Sequence, residues 1–311
     1  MRIPVVFAMN SQACAATYTL AAMERLGHET RRMSADDYFA VDPAEYDLFF
    51  CQDSGEGIDF RRASPEHLRK SSYWLWDSAW NYKQRNPGDD EMASFISQNG
   101  GWVFHAWQHD LDRCSASTRI ERHSLLPVAG DPVIWQAEPF EEKRYGLSFV
   151  GNCYDPGRGS ALNYARDNCA LYWPGPNSQF LQDAARTYRQ SWAVFHPPTF
   201  YQLPHDFTGE RVDLAQGATM RHYEALCCGV PLVTTPKADF VELGFQEGVH
   251  VFTWQELEQI PAAVASAQRA AMVGGAEYAR SLRQFILDNH TYEHRIQAAL
   301  ETLRRSKVLY A

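Results

Sequence analysis

The sequence predicts an α/β protein with two domains, each built on a parallel sheet. The chain has 311 residues, enough for two domains of about 150 residues each. Short apolar runs alternate with helical patterns over the first 135 residues, and the same alternation begins again near residue 147. Strands that alternate with helices indicate parallel pairing through right-handed crossovers.

The first half of the chain contains five predicted strands. They cover residues 3–9, 29–33, 46–51, 72–76 and 102–106, and the predicted helices cover 11–26 and 89–98. Gly27 occupies the position of a helix C′ glycine. Ser64 followed by Pro65 is typical of an N-cap with proline at the first helical position, which predicts a further helix there.

The second half repeats this organisation. The predicted strands cover residues 147–150, 170–173, 192–195, 231–235 and 249–252, and the predicted helices cover 220–228 and 277–305. Residues 253–256 (TWQE) match a capping box that would open another helix. Residues 136–145 hold five charged side chains and are the predicted linker, so we expect domains at 1–140 and 141–311.

Charge and cysteine content narrow the classes of function. The net charge is −9; residues 1–140 contribute −7 (13 basic, 20 acidic) and the remainder −2 (16 basic, 18 acidic). Neither half has the basic surplus typical of nucleic-acid binding.

Seven cysteines without a C-x-x-C pair favour a reducing cytoplasm. The first apolar run contains Pro4 and is too short for a signal peptide, and no stretch approaches the ~20 residues of a membrane span.

The run ATMRHYEALCCGVPLVTT, which starts at Ala218, carries the strongest functional signal. A helix that begins at Thr219 and Met220 would direct free backbone N–H groups toward the carboxyl ends of the strands, which suits a diphosphate. Arg221 in its first turn could add a bidentate contact to phosphate. Glu224 lies one turn later on the same face, where a carboxylate can accept hydrogen bonds from both ribose hydroxyls.

This run resembles the EALACGxPLV signature of GT-B glycosyltransferases, and is most similar to the CgeB-like (spore maturation protein) group, whose pattern is R-x-x-E-A-L-x-C-G. Three other segments resemble that group in the same order: LPVAGDP at 126–132, SFVG at 148–151 and HTYEHR at 290–295. The resemblance covers about residues 120–305. The first 120 residues share only the layout of elements.

The resemblance implies two Rossmann-like domains facing across a cleft, with the C-terminal helix packed back toward the N-terminal domain. It implies that residues 141–311 bind a nucleotide-diphosphate sugar as the donor, and a UDP-sugar is the first candidate. The acceptor, expected in residues 1–140, could be a small molecule, a glycan, a protein or modified DNA. Hexosyl transfer without a metal or another cofactor is expected, because protein cations would hold the diphosphate.

Two positions depart from the pattern of related retaining enzymes. Gln216 stands eight residues before Glu224, where those enzymes often carry a glutamate. Asn152 follows Gly151, where an arginine is frequent. Gly151 and Asn152 remain expected donor contacts, but the stereochemical outcome is left open.

Further donor contacts are expected at the ends of predicted strands. Arg158 follows the glycine-rich stretch after Gly151 and is either a diphosphate ligand or a solvated loop arginine. Trp173 and Gly175 end the next strand and are either contacts to the donor base or part of an ordinary turn. His196 ends the strand after that, and is a donor-site residue or a turn residue.

A catalytic base is expected from the N-terminal half. Asp77 ends the aromatic run at 73–77 and Asp53 follows the preceding strand, so each is a candidate general base or a loop-forming residue. His109 could act as a base or as a donor contact. His105 and His109 have the spacing of a helical metal pair, but without a strong third ligand we predict no metal site.

Two other functions fit parts of the pattern. A phage-type DNA glycosyltransferase could receive a flipped hydroxymethylated base against the aromatic N-terminal half, with the basic pairs at 31–32, 61–62 and 69–70 along the phosphates. The acidic N-terminal half argues against it. A non-catalytic nucleotide-sugar-binding protein is the other alternative, suggested by Gln216 and Asn152.

Overall fold

The computed structural model describes residues 1–7, 16–52, 58–76, 89–116, 120–136, 141–153, 156–176, 179, 181–198, 200–201, 212–213 and 217–309. The chain forms two compact units, Met1–Val128 with Tyr292–Ala311 and Ala129–Thr291. The units differ from the predicted division at 140 because residues 129–140 belong to the second unit and the C-terminal segment to the first. Acceptor and donor roles for 1–140 and 141–311 stay a prediction.

The described strands and helices alternate along the chain. The strands are β1 (Val5–Val6), β2 (Arg32–Met33), β3 (Phe49–Gln52), β4 (Ser71–Leu75), β5 (Trp102–His105), β6 (His123–Leu125), β7 (Tyr145–Ser148), β8 (Leu171–Tyr172), β9 (Ser191–His196), β10 (Phe200–Tyr201), β11 (Val212–Asp213), β12 (Leu232–Thr234) and β13 (Val251–Thr253). The helices are α1 (Ala16–Arg25), α2 (Ala35–Ala40), α3 (Pro65–Arg69), α4 (Asp89–Gln98), α5 (Gln108–Ala116), α6 (Pro156–Cys169), α7 (Leu181–Arg189), α8 (Met220–Cys227), α9 (Ile260–Asn289) and α10 (Tyr292–Arg305).

The first unit is built on a parallel sheet of order β2-β1-β3-β4-β5-β6. Both β3 and β4 are buried along their whole length, so their large apolar side chains do not alternate with exposed polar ones; the polar residues in these strands, Gln52, Ser71 and Ser72, are buried as well. Ser64 caps α3 by accepting from the His67 N–H, as predicted from the Ser-Pro pair. Strand β6 was not predicted, since its three half-buried residues His-Ser-Leu lack an apolar pattern.

Helix α10 packs on α1 in the first unit, which confirms the predicted return of the C-terminal helix. The rings of Tyr18 and Tyr292 stack at 5.2 Å, and Arg25 forms an ion pair with Glu293. The prediction of one helix over 277–305 was wrong, because α9 ends at Asn289 and α10 starts at Tyr292. The chain breaks there because the His290 carbonyl accepts from the Gly130 N–H (2.9 Å).

The second unit holds a parallel sheet of order β13-β12-β9-β7-β8. The predicted capping box at 253–256 is wrong: Thr253 ends β13, and the cap is formed by Glu256 with Gln259 just before α9. Within the predicted linker, Glu141 pairs with Arg189 (2.8 Å) at the end of α7, so Glu141 is held in the second unit. No helix among the described residues is long and apolar enough to cross a bilayer.

Candidate functional site

Polar side chains gather at the carboxyl edge of the second sheet. Because β7, β8, β9 and β12 are parallel, their carboxyl ends lie at one edge. Gly151 follows β7, Trp173 follows β8, His196 ends β9 and Lys237 follows β12. Three of these four residues were predicted as donor contacts, and the fold brings their strand ends to one side of the sheet.

Helix α8 begins at the same edge. Thr219 is its N-cap, with the extended backbone that a cap residue adopts (φ −96°, ψ 169°). Ala218 precedes this N-cap, and Asp239 in the loop after β12 fixes its position. Both carboxylate oxygens of Asp239 accept from the Ala218 N–H at 2.9 Å. Burial raises the pKa of Asp239 to about 6, against the opposing hydrogen bond from Ala218.

Two histidines and two threonines link the start of α8 to the neighbouring strands. His222 Nδ1 accepts from the Thr219 N–H (3.0 Å), and His222 Nε2 lies 3.4 Å from the hydroxyl of Thr234. Thr219 Oγ1 lies 3.0 Å from His196 Nε2. Burial lowers the pKa of His222 to about 3, and Lys237 adds to the shift. A neutral His222 therefore carries its proton on Nε2 and takes the place of Glu or Gln in a capping box.

The same chain of contacts reaches His196. The Thr219 hydroxyl lies between the two histidines, 3.0 Å from His196 Nε2 and 3.1 Å from His222 Nδ1. The other ring nitrogen of His196, Nδ1, is buried and has no hydrogen-bond partner among the described residues. A polar ring atom is thus left unused at the carboxyl end of β9, within the described part of the chain.

Several positively charged side chains lie near His196. Burial lowers the pKa of His196 well below its usual value, and the nearby His222, Arg158, Lys237 and Arg221 act in the same direction. Three of these neighbours are permanent cations from α6, α8 and the loop after β12. Together with the amino end of α8, they form a site of positive potential suited to an anion.

Arg158 connects the ends of two strands. Its guanidinium donates to the carbonyls of Asn152 (3.1 Å) and Pro197 (3.2 Å), and it lies over the ring of Phe149. Of the two alternatives for Arg158, the solvated loop arginine does not fit, because Pro156 starts α6 and places Arg158 in its first turn; a diphosphate contact stays a prediction. The helix therefore orients this cation toward the carboxyl edge.

Arg221 and Glu224 bind each other on α8. Arg221 Nη1 lies 2.6 Å from Glu224 Oε2; the carboxylate side chain is 3% exposed and the arginine side chain 32% exposed. The pair keeps a charged carboxylate inside the unit while part of the guanidinium reaches solvent. Met220, between them and the N-cap, is half-buried in the first turn.

Trp173 and Gly151 are also in contact. The Trp173 indole N–H donates to the Gly151 carbonyl (3.2 Å), and its ring lies 6.0 Å from that of Phe149. Gly175 follows with a positive φ of 101°, which favours glycine at this turn. The fold thus joins three predicted donor contacts, two from one strand end and one from the next.

The predicted catalytic candidates belong to the first half of the chain. Asp53 and Asp77 lie outside the described residues, as does Gln216. His109 is exposed at the start of α5. His105 does not pair with it for a metal: its Nε2 lies 3.3 Å from His123 Nδ1, and burial lowers the pKa of His105 to about 3. Within the described ranges, no group of three His, Cys, Asp or Glu side chains is placed to hold a metal ion.

The sequence predictions missed Lys237, His222 and Asp239. Lys237 follows β12 directly, so the rule that sites lie at the carboxyl ends of parallel strands could have found it. Asp239 comes two residues later in the same loop. His222 gave no signal, since a histidine at the third helical position is not a usual capping partner.

Residues 141–301 match the model of a family described as glycosyl transferase-like. No curated protein matches the chain.

Several solved structures share the fold over nearly the whole chain. HepE from Anabaena, in complex with UDP and glucose, superposes with a TM-score of 0.61 at 12% identity, covering 97% of this chain and 99% of that one. A glycosyltransferase from Rickettsia africae gives 0.63 at 9% identity, covering 98% of each. The DNA-modifying enzyme β-glucosyltransferase, studied with and without uridine diphosphoglucose, gives 0.55 at 11% identity, covering 99% of each. At these identities the likeness shows the fold alone, that of the GT-B glycosyltransferases.

Proposed function

The chain belongs to the glycosyl transferase-like family, and from this premise we propose that it moves a sugar from a nucleotide-diphosphate donor to a hydroxyl of an acceptor. One observation carries the proposal: Arg158 in the first turn of α6, Arg221 in the first turn of α8 and Lys237 after β12 lie at the carboxyl edge of the second sheet, near enough to His196 to lower its pKa. Arg158, Lys237 and the amino end of α8 suit the charge of a diphosphate, and Arg221 adds N–H donors although its charge is offset by Glu224.

These groups would act on the leaving group. When the bond between the sugar C1 and the diphosphate oxygen breaks, negative charge grows on the diphosphate. Fixed cations and N–H donors stabilise that charge without having to reorient. Since Arg158, Arg221 and Lys237 can supply the positive charge that a metal gives elsewhere, we propose transfer without a metal or another cofactor.

The donor is proposed to be a UDP-hexose. HepE, which shares the fold, has been solved with UDP and with UDP-glucose. Trp173, held by its hydrogen bond to Gly151, is proposed to contact the base. Glu224 is proposed to accept from a ribose hydroxyl, and Arg221 to orient that carboxylate while its exposed part reaches the diphosphate.

The remaining assignments follow from the sequence. Asp77 is the first candidate for the base that deprotonates the acceptor, followed by Asp53 and His109. The CgeB-like subtype rests on the HTYEHR and LPVAGDP segments. A cytoplasmic location is proposed from the cysteine pattern, and the six cysteines within the described residues are free thiols.

Titration calorimetry with UDP and UDP-glucose tests the donor site. Arg158→Gln and Lys237→Gln should each weaken binding about 10- to 100-fold, the usual effect of one lost charge-assisted hydrogen bond to an anion. Arg166→Gln is the matched control, because Arg166 is an exposed arginine on the same helix as Arg158. Affinities of the first two variants equal to that of Arg166→Gln would remove the proposed site.

Transfer to a hydroxymethylated base in DNA is the second candidate, favoured by the fold shared with β-glucosyltransferase. The basic pairs that would track phosphate are engaged within the first unit, however. Arg61 pairs with Asp59, Arg62 with Asp36, and the Lys70 ammonium donates to two backbone carbonyls. Strongly salt-dependent binding to duplex DNA would favour this candidate.

A protein that binds nucleotide sugars without catalysis is the third candidate, and its motivation lies in Gln216 and Asn152. Slow hydrolysis of UDP-glucose, in the absence of any acceptor, would rule it out because a purely binding protein does not break the glycosidic bond. Tight binding of UDP-glucose with no hydrolysis and no transfer would support it.

A further inference from the structure

Gln52 is a buried amide for which the described residues provide no hydrogen bond. It is the last residue of β3 and is 2% exposed. Neither its Nε2 nor its Oε1 has a hydrogen-bond partner in the described part of the chain. An amide side chain has two N–H donors and an acceptor oxygen, and the described residues use none of these hydrogen-bonding groups of Gln52. Native folds rarely bury such a group, and where they do the group calls for an explanation.

Trp76 repeats this feature on the neighbouring strand. It follows β4 directly, is 8% exposed, and its indole N–H has no partner among the described residues. Trp74, two residues earlier, differs: its N–H donates to the Leu126 carbonyl at 2.7 Å. Within the described ranges, the Trp74 indole N–H therefore has a hydrogen-bond acceptor and the Trp76 indole N–H, at the strand end, has none.

The two groups lie at the same edge and on the same face of the first sheet. The register pairs Gln52 with Trp74, so the next position on that face of β4 is Trp76. The rings of Trp74 and Trp76 lie 4.9 Å apart. A leucine in place of Gln52 would fill a similar volume without burying an amide, so packing does not explain the glutamine.

Tyr292 of the HTYEHR segment supports the aromatic part of this group. Its ring lies 6.0 Å from that of Trp76 and 6.3 Å from that of Trp74. Arg295 of the same segment donates to the Pro127 carbonyl (2.9 Å), which fixes the first turn of α10 to the beginning of the LPVAGDP segment. Two segments that the donor site does not use thus hold the rings around Trp76 in place.

We propose that Gln52 and Trp76 form a binding subsite for a saccharide, which is the acceptor of the reaction; this rests on the proposed glycosyl transfer. A neutral amide and an indole N–H match sugar hydroxyls, which both donate and accept. Indole faces pack on the C–H faces of sugar rings, and Trp combines such a face with a polar group. A nucleic acid fits less well, because residues 1–140 carry a net charge of −7 (13 basic, 20 acidic).

Saturation-transfer NMR of the full chain tests the subsite, with maltose, cellobiose and di-N-acetylchitobiose as probes and no nucleotide present. Wild type should bind at least one of them, and Gln52→Leu and Trp76→Phe should each weaken that binding at least tenfold. The affinity for UDP should stay within twofold of wild type. Gln52→Leu should also keep or raise Tm, because it removes an unsatisfied buried amide.

The control variants replace another glutamine and another tryptophan whose side chains already donate hydrogen bonds within the protein. Gln98 is exposed and donates to the Ser94 hydroxyl, and the Trp102 indole donates to the Ser124 hydroxyl, so Gln98→Leu and Trp102→Phe should bind the disaccharide like wild type. A lower Tm of Gln52→Leu with unchanged disaccharide binding would overturn the inference. So would Gln52-dependent binding of a duplex containing 5-hydroxymethylcytosine in place of the disaccharides.

Binding of UDP separates this inference from the proposed function. Wild type that binds UDP but none of the three disaccharides contradicts the saccharide subsite alone. Wild type that binds neither UDP nor UDP-glucose contradicts the proposed transfer itself.

Discussion

Arg221 and Glu224 lie one turn apart on α8 and neutralise each other across 2.6 Å. The geometry differs from the expectation that each residue meets the donor separately. A carboxylate that is 3% exposed needs a partner in the unliganded protein, and the arginine provides it. The pair therefore has a structural and a binding role, which can be separated.

Arg221→Met should lower the free energy of unfolding by about 2 kcal/mol, because it leaves the buried Glu224 carboxylate without its partner. Breaking a fully buried pair costs about 3–5 kcal/mol, and the cost here is smaller because Arg221 is partly solvated. Adding Glu224→Gln should restore most of that stability. UDP binding should remain weak in the double variant. Urea unfolding and calorimetry on the two single variants and the double variant measure both effects.

A loss of stability in the double variant equal to the sum of the losses in the two single variants would show that the two residues do not interact energetically. Full UDP affinity in the double variant would show that the pair only stabilises α8.

The stability of the protein should fall as the pH is lowered from about 6.5 toward 3. His222 and His105 have pKa values of about 3 in the folded protein, and that of His196 is also strongly lowered. Their unfolded pKa is about 6.5, so in this window the unfolded chain binds more protons. Each histidine then contributes a slope of up to about 1.4 kcal/mol per pH unit. Asp239, whose pKa is raised to about 6, acts in the opposite direction between its unfolded value and pH 6.

His222→Gln isolates one of these contributions. The glutamine oxygen can accept from the Thr219 N–H, so the cap should persist, at a cost of at most about 1 kcal/mol at pH 7. Because glutamine does not titrate, the variant should gain about 2 kcal/mol relative to wild type between pH 6.5 and 5. Urea midpoints at several pH values measure this difference. Parallel curves for variant and wild type would mean that His222 is protonated in the fold.

Gly130 of the LPVAGDP segment is expected to tolerate no side chain. A Cβ there would lie 2.6 Å from Cys227 Sγ and 3.2 Å from both Tyr223 and Ile286, so α8 and α9 leave no room for it. Gly130→Ala should cost about 1–3 kcal/mol by overpacking. Guanidinium unfolding measures the loss, and Cys227→Ala in the same chain should recover part of it.

Gly146→Ala is the matched control for this substitution. Its Cβ would meet only the end of the flexible Gln268 side chain, at 3.0 Å, so we expect a change of less than about 0.5 kcal/mol. Similar losses at both glycines would show that the contact with Cys227 does not set the cost.

Local patterns predicted most elements and failed where distant residues decide. The break between α9, which ends at Asn289, and α10, which begins at Tyr292, depends on Gly130. Gly130 is about 160 residues away in the chain, so no helical periodicity over 277–305 could reveal the break. The sequence left Arg158 as either a diphosphate ligand or a solvated loop arginine. The structure places it in the first turn of α6, which Pro156 opens although the neighbours Gly157 and Gly159 are poor helix formers.

The sequence by itself determined the α/β class, the two parallel sheets and the helix start at Thr219, because apolar periodicity and capping residues act over a few positions. It also indicated the strand ends that hold Gly151, Trp173 and His196. Only the tertiary structure decided what those ends do together. The cations of Arg158 and Lys237, about 80 residues apart, act on His196 because parallel strands end at one edge, and the unsatisfied amide of Gln52 is recognisable only once its neighbours are in place.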